Sequence, residues 1–138
     1  MTKLIVPGDP VPQGRPRVYH TRYGVRGVDP AKSRSYKQLV QHYARQQWHR
    51  DPLSAALRVS LTVYRPIQRS GARAQKIAKK NGTIRPTVKP DVDNYYKAVS
   101  DALTGIVWCD DNQIVEIAVA KFYDDGDGPR VEIEVEEL

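Results

Sequence analysis

Residues 89–105 read KPDVDNYYKAVSDALTG, and the fold of the chain turns on them. Tyr95, Ala98, Val99, Ala102 and Leu103 stand at offsets 0, 3, 4, 7 and 8, the spacing that gives a helix one apolar stripe. Asp93 or Asn94 is expected to cap its start, and Gly105 to take the left-handed position just past its end. Pro90 biases Lys89 away from the helical region, so the chain enters this helix from an extended segment.

Upstream, residues 67–90 break every pattern. They carry Arg69, Arg73, Lys76, Lys79, Lys80, Arg85 and Lys89 with no acidic residue before Asp91. Residues 68–88 are expected to form an exposed, mobile basic arm, with a transient helix over Ala72 to Lys80. Before it, Leu57, Val59, Leu61 and Val63 alternate with Arg58, Ser60, Thr62 and Tyr64, a half-buried strand ending near Pro66. From Ala31 to Trp48, Tyr36, Leu39, Val40, Tyr43, Ala44 and Trp48 recur at helical spacing and predict a second core helix. Leu4 to Val6 read as a short strand. The run from Pro7 to Pro16 is excluded from helix by its prolines and glycines.

Downstream, Ile106 to Cys109 form a short apolar run, and Ile114 to Tyr123 and Val131 to Val135 read as strands. The last alternates valine and isoleucine with glutamate, so one of its faces is wet. Between these strands lies Asp124-Asp125-Gly126-Asp127-Gly128-Pro129. It lacks the ligands of a calcium loop and is expected to act as a hairpin turn.

With 138 residues, one domain with a true core is expected. No apolar run approaches a membrane span, and the first residues lack a signal-peptide pattern. The lone cysteine, Cys109, excludes an internal disulfide framework, suits a reducing cytoplasm, and is expected in the core. Charge is strongly polarised. Before Asp91 there are 19 Lys and Arg against 3 acids; from Asp91 onward there are 3 against 13. Such a basic half can hold an anionic polymer while the acidic part holds cations.

Asp91 and Asp93 lie two apart in a stretch read as extended, so they point to one side about 6–7 Å apart. Two carboxylates at that spacing repel unless a cation lies between them, and magnesium takes a few carboxylates, waters and phosphate oxygens. Asp93, Lys97 and Asp101 fall on the helix face opposite the apolar stripe, leaving Lys97 beside that cation. Asp110 and Asp111 precede the next strand, and one of them could complete a three-carboxylate site. His20, His42 and His49 are far from the motif and read as structural or solvated.

Lys89-Pro90-Asp91-Val92-Asp93-Asn94, Lys97-Ala98-Val99, Asp101 to Gly105 and Asp110-Asp111-Asn112-Gln113 together resemble the signature of the RusA-type Holliday-junction resolvases. The likeness is strong from Lys89 to Glu116 and weaker over the Pro-Gln-Gly-Arg-Pro-Arg stretch near the N-terminus. It implies an α+β fold, with a mixed sheet packed by two main helices in one domain from 1 to 138. It also implies a homodimeric, magnesium-dependent endonuclease, with manganese as a substitute, that nicks four-way DNA junctions symmetrically. Asp91, Asp93 and Asp111 match the family's metal-binding aspartates, Asp111 being preferred over Asp110, and Lys97 its catalytic lysine. No small-molecule cofactor beyond the metal is expected.

On this reading the metal site activates a water for in-line attack, and Arg15, Arg17 and the basic arm neutralise DNA phosphates. Aromatic residues do not interleave the arm, which predicts backbone and shape recognition. A non-catalytic DNA- or RNA-binding protein, and a nuclease acting on flaps or forks, are the competing classes.

Overall fold

The computed structural model describes residues 2–138, and of Arg17 the backbone alone. The elements run β1 (Thr2–Pro7), β2 (Arg17–Thr21), β3 (Gly24–Val28), α1 (Ala31–Gln47), β4 (Leu57–Arg65), α2 (Arg73–Lys80) and α3 (Val92–Leu103). A 3-10 turn (Asp111–Gln113), β5 (Ile114–Tyr123) and β6 (Arg130–Glu137) follow. Four strands form one sheet in the order β1-β6-β4-β5, while β2 and β3 pair only with each other. β4 runs parallel to β5 and antiparallel to β6, which is also antiparallel to β1. The fold is α+β with a mixed sheet, as the sequence implied.

Period-two alternation decides which face of the sheet is covered. Leu57, Val59, Leu61 and Val63 of β4, Val131, Ile133 and Val135 of β6, and Leu4 and Val6 of β1 are all buried. Tyr36, Val40 and Ala44 of α1 and the expected stripe of α3 close over them in one cluster. Each aliphatic side chain so buried contributes about 1.5–3 kcal/mol. The other face is polar and carries ion pairs from Arg58 to Glu116 and Glu136. The two free edges of the sheet differ. Gln47 of α1 caps the β1 edge, its Oε1 accepting from the Ile5 backbone at 2.9 Å and its Nε2 donating back at 2.8 Å. β5 lies open over its first half, where Val115 and Ile117 are exposed.

Several expectations are corrected. α3 begins at Val92, with Asp91 rather than Asp93 or Asn94 as its N-cap. Gly105 does follow the end of the helix, with φ +91°. Arg17 to Val28 form a hairpin that no pattern in the sequence announces. The aspartate loop has turn chemistry, for Asp124 Oδ1 accepts from the Gly126 and Gly128 amides at 2.9 Å each. It is not a hairpin turn, however, because β4 lies between the strands it joins. Cys109 is exposed because Val107 and Trp108 fill the interior instead. Leu39, on the rim of the α1 stripe, also stays partly exposed.

The basic arm contains a defined helix, α2, none of whose residues is buried. It docks without an apolar stripe. Lys79 lies 4.9 Å from the Tyr123 ring centre and Arg85 lies 3.6 Å from that of Phe122. Arg85 Nε also donates to the Lys121 carbonyl at 2.7 Å. Long cationic stems packed on aromatic faces replace the usual aliphatic packing.

Candidate active site

The chain enters α3 through a clamp. Lys121 Nζ, on β5, donates to the carbonyls of Val88 and Pro90 at 2.9 Å each. This fixes the head of α3 near the far end of β5. Asp91 is extended there, with φ −73° and ψ 155°, and its carboxylate makes no capping bond. Its carboxylate has no ion-pair partner among the described residues either. Asp93 sits in the first helical turn, where the positive end of the helix dipole favours negative charge. Both aspartates are exposed.

Two clefts open beside this helix. One, of about 410 Å³, is lined by Pro12, Gln13, Arg15, Lys89, Pro90, Asp91 and Asn94. The other, of about 510 Å³, is lined by Gln13, Gly14, Arg15, Pro16, Asn94, Lys97 and Asp101. They share Gln13, Arg15 and Asn94. The wall is built because the Gln13 amide donates to the Asn94 carbonyl at 2.9 Å, tying the proline-rich segment to α3. Expected phosphate ligands Arg15 and Lys89 and the expected catalytic Lys97 thus share one surface with Asp91. Arg69, Arg73, Lys76, Lys79, Lys80 and Arg85 lie on the docked arm instead. Arg17's side chain lies outside the described residues.

The neighbouring acids are already engaged, which distinguishes the candidates from them. Helical spacing groups Asp101 with Lys97, yet Asp101 pairs with Lys37 of α1 at 3.2 Å. Lys37 also pairs with Asp29 at 2.8 Å, and Asp29 accepts from Gln13 Nε2 at 2.6 Å. Burial pushes the Asp29 carboxyl up, but the bonds from Lys37 and Gln13 outweigh it and hold the group below its ordinary range. Lys97 has no ion-pair partner among the described residues.

Asp110 is engaged as well. Its carboxylate accepts from the Asn112 amide at 2.9 Å, while Gln113 Oε1 accepts from the Asp110 amide at 2.7 Å. This capping box makes Asp110 structural and leaves Asp111 exposed, with no hydrogen bond to its carboxylate among the described residues. The signal was present in the sequence as Asp110-x-x-Gln113. Burial first, and then the charge of Asp111, push the Tyr96 phenol above its ordinary value.

The expected convergence of Asp91, Asp93 and Asp111 is not found within one chain. Among the described residues, no three His, Cys, Asp or Glu side chains lie close enough to hold a metal ion. The cause is the direction of β5. Its start carries the Asp111 turn, whereas the head of α3 is clamped to Lys121, seven residues further along. From Ile114 to Lys121 the strand rises roughly 23 Å at about 3.3 Å per residue, so the two acidic groups stand at different levels of the sheet. Asp91 and Asp93 still offer free carboxylate oxygens beside Asn94, a donor set of the kind hard divalent cations take. The shared side expected from an extended stretch is not kept, however: Asp93 already lies inside the helix and lines neither cleft, so of the two only Asp91 stands in the cleft with Asn94 and Arg15.

Comparison with known proteins agrees with the motif. Residues 7–136 match the family model described as endodeoxyribonuclease RusA. The chain is also 41% identical to a Bacillus subtilis (strain 168) protein described as uncharacterized protein YqaN, over 99% of this chain and 96% of that one.

Proposed function

The chain belongs to the RusA endodeoxyribonuclease family, and from that premise we propose that it is a divalent-metal-dependent nuclease resolving four-way DNA junctions by paired nicks. The observation that carries this reading is a selection among charges. Among the described residues Asp91, Asp93, Asp111 and Lys97 have no ion-pair partner, while Asp101 and Asp110 are tied to Lys37 and to a turn.

Asp91 and Asp93 would hold the ion, magnesium or manganese, with Asp111 as the third carboxylate. A bound divalent ion supplies a water of lowered pKa and neutralises phosphate oxygens. The remaining work belongs to the side chains. Arg15 and Lys89 flank Asp91 and would hold phosphates on either side of the scissile one. Lys97, one turn along α3, would offset charge building on the non-bridging oxygens. Asn94, between the two clefts, would orient the strand.

A second copy of the chain supports this chemistry in two ways. A junction offers two equivalent strands, so a two-fold dimer presents two sites to them. The open edge of β5, where Val115 and Ile117 are exposed, would offer a surface for the partner. Antiparallel pairing of two such edges about an axis near Ile117 would carry the Asp111 turn of one copy towards the α3 head of the other.

The test is incubation of an end-labelled immobile junction with magnesium, manganese or calcium. Symmetric nicks in magnesium are expected. Absence of nicking under every ion favours the non-catalytic binder. Faster cutting of forks or flaps than of junctions at equal binding favours a nuclease for other branched DNA.

A further inference from the structure

No described residue of the β2–β3 ribbon is buried in the core. Its strands pair with each other, from Arg17 opposite Val28 to Thr21 opposite Gly24, and neither packs substantially on any other helix or strand. A two-stranded ribbon alone in water is marginally stable at best. Here it is held at both ends. Gln13 and Gly14 tie its first leg to Asn94 and Ser33, and Asp29 on its second leg is bonded to Gln13 and Lys37. A firmly mounted ribbon without a packing partner of its own is built to meet something else.

Its side chains say what. Tyr23 at the tip is 94% exposed, and Tyr19 is 49% exposed. Tyr19 stands opposite Arg26 in the register, so the two share one face, while Arg22 flanks the tip beside Tyr23. Between Asp9 and Asp29 the chain holds four arginines and no acid. Basic residues interleaved with exposed aromatic rings suit a strand whose bases are unstacked, since cations take phosphates while rings stack on base faces. The basic arm of residues 68–88 lacks that interleaving. The ribbon also begins immediately after Arg15 and Pro16, which line the cleft of Lys97.

We propose that the β2–β3 ribbon is a second nucleic-acid-binding element, in which Tyr19 and Tyr23 stack on bases exposed where strands branch, and Arg22 and Arg26 hold the neighbouring phosphates. The ribbon thereby distinguishes branched from fully paired DNA, next to the site that cuts it. This rests on the chain acting on DNA, as proposed above, but not on its cutting.

Binding is measured in EDTA, so that nothing is cut, on an immobile four-way junction and on a linear duplex of the same sequence. Tyr19→Ser with Tyr23→Ser is expected to weaken junction binding about tenfold and to leave duplex binding within about twofold. Arg22→Ser with Arg26→Ser should make the logarithmic salt dependence shallower by about two units, one for each phosphate no longer neutralised. Tyr19→Trp with Tyr23→Trp, which keeps an aromatic face at each position, should bind the junction as the native chain does. The melting temperature controls for folding and should stay constant, because the ribbon adds nothing to the core. Equal weakening on junction and duplex would overturn the stacking assignment in favour of a ribbon lying in a duplex groove. Unchanged junction binding by the serine pair would overturn it outright. A native chain that binds neither DNA would instead sink the nuclease reading itself.

Discussion

The two adjacent acids before β5 allow a sharp separation of structure from chemistry. Asp110 caps the 3-10 turn through its bond to the Asn112 amide, and Gln113 closes the box. Asp110→Ala removes that cap, a destabilisation of about 1 kcal/mol for an exposed N-cap. In a chain of this size that lowers the melting temperature by about 3 °C. Asp110→Asn keeps an acceptor oxygen in place and should melt as the native protein does. Neither change should alter magnesium-dependent nicking of a junction by more than about twofold, since the site loses no free carboxylate.

Asp111→Asn is the reverse case. Its carboxylate accepts no protein hydrogen bond among the described residues, so stability should stay within about 0.5 kcal/mol, the usual range for a surface change. If Asp111 supplies the third carboxylate as proposed, its loss takes away a fixed charge that nothing else replaces, and nicking should fall at least about a hundredfold. Single-turnover cleavage of a labelled junction, run beside thermal melts of the three variants, reads both quantities. If Asp110→Asn abolished cutting while Asp111→Asn cut normally, the capping argument would be refuted and the ligand assigned to the wrong residue.

Other outcomes follow from the same geometry. Asp91→Asn should stop nicking yet keep or tighten junction binding in EDTA, because it removes a negative charge beside the phosphate; normal nicking rules out the site. Lys97→Ala should slow cleavage by about two orders of magnitude or more with binding nearly unchanged, while a parallel fall in binding would make it merely a phosphate ligand. Neutralising Lys79 and Lys80 should weaken binding and lower its salt slope by up to about two units, which a filter-binding series in salt would measure. Stability should fall on acidification below about pH 4. The bond from Arg130 holds Asp125 below its ordinary carboxyl range, and Asp29 and Glu132 are held low by cations despite burial. Depressed folded pKa values give stability that is full above the unfolded values and lost as pH drops through the folded ones. Asp125→Asn should flatten that acid limb in urea melts at stepped pH; an unchanged limb would mean the Arg130 pair contributes nothing.

What the sequence discloses and what it hides divide along one physical line. α1, α3, β4 and β6 each bury one side, so their apolar residues repeat with period 3.6 or 2 and can be read locally. The β2–β3 ribbon buries neither side. Val18, Tyr19 and Val25 are all exposed and Gly24 and Gly27 interrupt the pattern, so no period exists to be read. The same holds for α2, which docks by cations over Phe122 and Tyr123 instead of an apolar stripe. Strand order is hidden for a different reason. Nothing between residues 57 and 123 signals that β4 and β5 run side by side in parallel, because the residues that pair, from Leu57 with Ile114 to Arg65 with Tyr123, lie far apart in the chain.

The site follows the same division, with one consequence for how its chemistry is assembled. Motif spacing groups Asp91, Asp93 and Lys97 locally, because all three lie within two turns at the head of one helix. It could not tell that Asp101 is drawn away by Lys37, 64 residues earlier, nor that Asp111 stands at the far end of the strand from the clamp on Lys121. Both are long-range facts, and they act in opposite directions. The first removes a carboxylate that would otherwise compete for Lys97 one helical turn away, so the ammonium stays available to a phosphate. The second withholds a carboxylate that the proposed ion would need, leaving two where about three are required. On the function proposed above, a chain arranged in this way would be primed at the lysine and incomplete at the metal. Its cutting should therefore depend more steeply on protein concentration than its DNA binding does, for as long as the third carboxylate has to come from another copy.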